Sequence, residues 1–230
     1  MRRKGMMLMR TLVVTLAMAA SASACGFLGF GGTSWKEEVL LHDGSKIVVK
    51  RSQTYRGRHE IGQSVPVGEH TIEFKLPDSG KSYSWTSEYQ EDLGRTEFNL
   101  LALHVSRGTP YLIAEPNLCL AYNKHGRPNP PYVIFKHDGA AWQRIQIGDL
   151  PKEFETINLI VNKGRENEIA RLARQRGYVP AADIARLNVP LTQPQYSSIR
   201  REALPEAQLC PDWSSPRYTS PKAPDVPAGN

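Results

Sequence analysis

TIEFKLPDSGKSYSWTSEY, residues 71–89, decides the fold. Its first six residues alternate without a break: Ile72, Phe74 and Leu76 project to one side and Thr71, Glu73 and Lys75 to the other. That is the period of a half-buried strand. Pro77-Asp78-Ser79-Gly80 follows, four residues that each favour a turn. Alternation then resumes, with Tyr83, Trp85, Ser87 and Tyr89 on one side and Ser82, Ser84, Thr86 and Glu88 on the other. Two alternating runs about a turn make a hairpin, so the architecture is antiparallel β.

The same texture extends in both directions. Upstream, Val39-Leu40-Leu41 and Ile47-Val48-Val49 flank His42-Asp43-Gly44-Ser45, and Asp-Gly between apolar runs signals a hairpin. Downstream, residues 98–105 are apolar at nearly every position, as in a strand covered on both faces. Arg107-Gly108-Thr109 breaks that run and residues 111–114 resume it. After a Pro- and Asn-rich loop at 123–131, residues 132–135 and 142–147 make another hairpin about His137-Asp138-Gly139. Residues 158–161 are the last extended run before the pattern changes. Ile169, Leu172 and Ala173 then recur at helical spacing within 165–176, with Gly177 as a stop. Pro180 opens a shorter helix through Leu187, ended by Asn188, and Ser197-Ser198 caps one more turn before Pro205. The predicted fold is mainly β, an antiparallel sandwich or partly open barrel, with a small C-terminal helical segment: α+β overall. The β domain spans 35–162 and the docked helical segment 163–213. Residues 214–230 offer no apolar set for a core and read as a disordered tail.

The N-terminus carries an address. MRRKGMMLMRTLVVTLAMAASASAC, residues 1–25, has a basic opening, a short apolar run and small residues before a cysteine. That is the plan of a signal peptide, here residues 1–24, and the apolar run is shorter than the roughly 20 residues that span a bilayer. Ala22-Ser23-Ala24-Cys25 resembles the lipobox of bacterial lipoproteins, departing from it at Ala22, where leucine is usual. The same residues satisfy ordinary signal cleavage, so lipidated and soluble forms are both open. These 25 residues are similar to those of uncharacterised exported lipoproteins of proteobacteria. The similarity implies lipidation at Cys25 and an address on the periplasmic side of the envelope, and brings no activity with it. Gly26 stands where an aspartate would favour inner-membrane retention, which points to the outer membrane. Residues 25–34 are glycine-rich and read as a tether between lipid and body.

Processing changes the charge balance. Removing 24 of 230 residues leaves 206, enough for one core, and takes away four basic residues and no acidic one, so the formal charge falls from +6 to +2. A near-neutral chain lacks the concentrated basic face of a nucleic-acid binder. With Cys25 carrying lipid, Cys119 and Cys210 remain as an even pair in an oxidising compartment, and a disulfide between them is predicted. Leu118 and Leu120 beside Cys119 suggest that it is buried.

No chemistry stands out. The histidines at 42, 59, 70, 104, 125 and 137 show no metal-ligand spacing, and both His-Asp pairs are explained by turns. His104, inside an apolar strand, and His70, in phase with Ile72 and Phe74, read as core histidines. Nucleophile elbows, phosphate loops and dinucleotide fingerprints are missing. Glu37-Glu38 and Glu91-Asp92 read as solvated strand-end pairs, and Glu168 is placed to pair with Arg171 along a helix. No catalytic residue, metal site or cofactor is therefore assigned. Tyr83, Trp85 and Tyr89 form the one candidate binding surface, since aromatic rings suit sugars and protein partners. One face of a sandwich core produces the same alternation, and that reading is favoured. The expected function is a non-enzymatic, membrane-tethered envelope module that binds an envelope protein or a glycan. The competing class is an envelope hydrolase whose site assembles only in three dimensions; a concave site holding a histidine with Asp, Glu or Cys favours it.

Overall fold

The computed structural model describes residues 32–87, 89–161 and 164–213. The expected signal peptide, Cys25, most of the expected tether and the expected 214–230 tail lie outside the described residues. The fold is mainly antiparallel β with short helices, α+β. Strands β1 (Gly32–Leu40), β2 (Lys46–Tyr55), β3 (Val67–Lys75) and β4 (Ser82–Ser87) form one meander in sequence order. Strands β5 (Tyr89–Gln90) and β6 (Arg95–Thr96) make a two-residue ladder that leads to the second sheet. That sheet runs β10 (Trp142–Ile145), β9 (Val133–His137), β8 (Thr109–Pro116), β7 (Phe98–Ser106), again all antiparallel. Neither four-stranded sheet closes on itself.

The two sheets face each other. Val39, Val49, Ile72, Phe74 and Trp85 from the first share one buried cluster with Phe98, Leu100, Leu103, Leu112 and Val133 from the second. A bulge between Leu100 and Ala102 turns Leu101 and Ala102 outward. They join Tyr111, Ile113, Phe154, Tyr196 and Ile199 in a second cluster on the far face. Residues 98–105 are apolar at nearly every position because both faces of β7 are covered. Beside β7, Asn158 does the work of a strand neighbour. Its Oδ1 accepts from Leu103 N–H (2.9 Å) and its Nδ2 donates to Leu103 O (2.7 Å) and Leu40 O (2.9 Å). Leu159 N–H donates to Leu101 O at 3.1 Å.

Helix α1 (Leu118–Lys124) follows β8. Helices α2 (Glu166–Arg176) and α3 (Ala181–Asn188) bring Ile169, Leu172, Ile184 and Leu187 onto Trp35 and Ile160. The chain between them bonds to β1: Glu38 N–H donates to Val179 O and Val179 N–H to Lys36 O, both 2.8 Å. The turn expected after Ser197-Ser198 instead precedes it, over Pro194–Tyr196, where Pro194 sets the backbone. Glu168 pairs with Arg165 (2.6 Å) across the first turn of α2, not with Arg171.

Candidate functional site

The strand registers sort the loops into two ends. Gly32 pairs with Thr54, Tyr55 with Val67, His70 with Ser87 and Phe98 with Pro116. One end of the sandwich therefore holds the start of β1, the β2–β3 loop, the β5–β6 turn and α1. Ion pairs stitch it together: Arg56 to Glu91 at 2.7 Å and Lys124 to Asp92 at 3.0 Å. The opposite end holds the tight turns at 41–45, 76–81 and 106–109.

At the first end the chain leaves β8 through Asn117, whose Nδ2 donates to Thr96 O at 3.0 Å and whose N–H donates to Glu97 O at 2.8 Å. Cys119 on α1 is bonded to Cys210, with Cα atoms 5.2 Å apart. Hydrogen bonds reinforce the clamp: Asn123 Nδ2 donates to Pro211 O (3.0 Å) and Arg127 to Cys210 O (2.9 Å). Nearby, Asn129 and the Leu204 backbone exchange two bonds of 2.9 and 2.7 Å, and Tyr132 OH donates to Ser198 O at 3.1 Å. The C-terminal segment is thus held across α1 with a groove of about 520 Å³ between them. Its wall is apolar, with Leu118, Leu120, Leu209 and Trp213, and the first two are 57% and 48% exposed. At its floor, buried Glu115 accepts from Tyr196 OH (2.7 Å) and Asn99 Nδ2 (3.2 Å). Burial, then the Glu115 charge, holds the Tyr196 phenol above its ordinary range, so it stays a donor.

A buried polar band runs inward from this end. Glu37 is 0% exposed and accepts from Trp35 Nε1 (2.7 Å) and Arg51 (2.9 Å). This overturns the expected solvated Glu37-Glu38 pair: Glu37 shares the inward face with Trp35 and Val39, and Glu38 alone turns out to meet Lys46 at 2.7 Å. Strand parity was the signal that could have found it. Burial raises the Glu37 carboxyl above its ordinary value, while Arg51 foremost, then Trp35 and the Ile160 backbone pull it back. Nearer the loops of this end, Gln53 Nε2 donates to His70 Nδ1 at 3.1 Å.

The three candidate rings do not form one exposed face. Trp85 is 7% exposed, in the core between the sheets. Tyr83 is half-buried, stacked on Phe74 at 5.3 Å and edge-on to His137 at 4.9 Å. Alternation ends where β4 does, and Tyr89 belongs to β5, with Arg56 4.3 Å over its ring. Cys119 lies on a helix the sequence did not announce, and its neighbours Leu118 and Leu120 face solvent rather than core. His104 is buried, bonded to Thr156 O at 2.9 Å. At the opposite end His42 and Asp43 line a second cavity of about 520 Å³, yet Asp43 Oδ1 accepts from Ser45 N–H (2.9 Å) and Oγ (2.6 Å) as a turn cap. Among the described residues no three His, Cys, Asp or Glu side chains could hold a metal ion, and no helix is long and apolar enough to cross a membrane. Comparison with protein-family models, with curated proteins and with solved structures found no match.

Proposed function

We propose that this chain is a lipid-anchored, non-enzymatic module of the bacterial cell envelope that binds an envelope protein through the clamped groove. The supporting observation is the groove itself: exposed Leu118 and Leu120 and the Trp213 ring over a buried Glu115–Tyr196 pair. A disulfide holds both banks together, and β1 begins at the same end of the sandwich. Exposed apolar groups around a fixed polar centre are the anatomy of a binding hot spot. A photo-crosslinking residue at Leu120 in intact cells tests the reading. A discrete adduct, lost on Leu118→Asp, is expected; recovery of the chain alone overturns it. Cys25→Ser tests the anchor separately and should move the protein from the membrane to the soluble periplasmic fraction. A soluble wild-type protein removes the tether.

The hydrolase alternative has one observation in its favour, the cavity that His42 shares with Asp43 and Ser106. Hydrolysis of a panel of ester and phosphoester substrates, lost on His42→Ala, is the result that would replace the binding module.

A further inference from the structure

The β2–β3 loop, residues 56–66, is built to present Ile61 at its tip. Its base is closed by Arg56 N–H donating to Pro66 O at 3.0 Å. Gly57 packs so closely on the β5–β6 turn that a Cβ there would meet Gly94 O at 2.3 Å. Arg56 braces the same turn through Glu91 and Tyr89. At the tip Gln63 N–H donates to Glu60 O at 3.0 Å, with Gly62 at φ +89°. This is a turn with Ile61 at its leading corner. Ile61 is 107% exposed, and Val65 on the return is also exposed. A depression of about 910 Å³, lined by Tyr55, Val65 and Glu166, separates the loop from the start of α2, so the tip stands clear of the body. With Arg56 paired to Glu91, Arg58 and Glu60 are the remaining charges of the loop.

The position of this tip carries the inference. Gly32 pairs with Thr54, so the start of β1 and the loop share one end of the sheet. Six residues separate Cys25 from Gly32, and the seven Cα–Cα steps reach at most about 25 Å. We propose that residues 56–66 are a membrane-contact loop: Ile61 enters the interface of an anionic phospholipid bilayer and Arg58 meets its phosphates. The orientation rests on the lipid-anchor reading above; the loop's own affinity does not. An isolated apolar side chain on a rigid turn gains by leaving water, and an arginine beside it gains from anionic headgroups.

The test uses the mature Cys25→Ser protein, which carries no lipid, sedimented with vesicles of phosphatidylethanolamine and phosphatidylglycerol or of phosphatidylcholine alone. Weak binding to the anionic vesicles, reduced by salt, is expected. Ile61→Ser should lower the partition coefficient about tenfold and Arg58→Ala about fivefold. Leu40→Ser, an exposed apolar residue beside the 41–45 turn at the opposite end, should leave it unchanged. Near-UV circular dichroism checks that each variant keeps its fold. Absence of binding, or equal binding by Ile61→Ser, overturns the loop. If Cys25→Ser fails to bind while the lipidated wild type sediments, the anchor stands and the loop falls. If Cys25→Ser binds while the wild type proves unlipidated, the loop stands and the anchor falls.

Discussion

Arg51 is the residue on which the interior of the first sheet turns. It is 1% exposed, pairs with Glu37 at 2.9 Å and lies 5.3 Å over the Trp35 ring. Its removal leaves a carboxylate buried without its cation, so Arg51→Ala should lose about 3–5 kcal/mol in urea unfolding. Arg51→Met with Glu37→Leu removes both charges and should recover most of that loss. His70 and His104 set the response to acid. Burial first, then the Arg51 charge, lowers His70 to about 3, and burial lowers His104 to about 4. Unfolded, each titrates near 6.5. Below about pH 6.5 the unfolded chain therefore takes up protons that the folded chain refuses, and stability falls with pH until the folded values are passed. Urea midpoints from pH 7 to pH 4 should fall steadily, and His70→Gln should flatten the slope while keeping a partner for Gln53.

At the scale of elements, the sequence was readable wherever burial imposed a period. The 71–89 stretch delivered β3 and β4, and the Asp-Gly pairs placed two turns. Ile169, Leu172 and Gly177 marked α2 and its end. Helix α1 was illegible because it is seven residues long, lacks a side-chain N-cap bond and buries only Ala121 and Tyr122. The groove was hidden for the same reason: its residues come from β8, α1 and the C-terminal segment, which no local pattern relates. Only the two cysteines linked them in advance. Their bond closes a loop of 91 positions. Chain-entropy reasoning gives such a closure about 4–5 kcal/mol, an upper figure. Cys210→Ser should lower the thermal midpoint and speed proteolysis at residues 205–213 before the β core is cut. Limited proteolysis with mass spectrometry reads both. Equal cleavage rates in the two proteins would mean that Asn123, Arg127 and Asn129 hold the segment unaided.

For the whole molecule, the two ends are built differently. The turn end is short and tied down; the other carries the groove, the loop and the start of β1. Asn158, described above as a stand-in for a strand neighbour, has a consequence at this scale. A lipid-tethered protein is concentrated in a plane, where exposed strand edges would template one another. Three edges are occupied: β1 by Val179, β7 by Asn158 and Leu159, β4 in part by Trp142 Nε1 donating to Ser84 O at 2.7 Å. The fourth, β10, is only four residues long. Asn158→Ala strips the partners from Leu103 N–H and C=O, costing about 1–3 kcal/mol for each buried group left unpaired. It should also make light scattering rise with protein concentration, where the parent stays monodisperse. On the proposed membrane anchor, Asn158 and Leu159 close the β7 edge against pairing with a neighbouring copy.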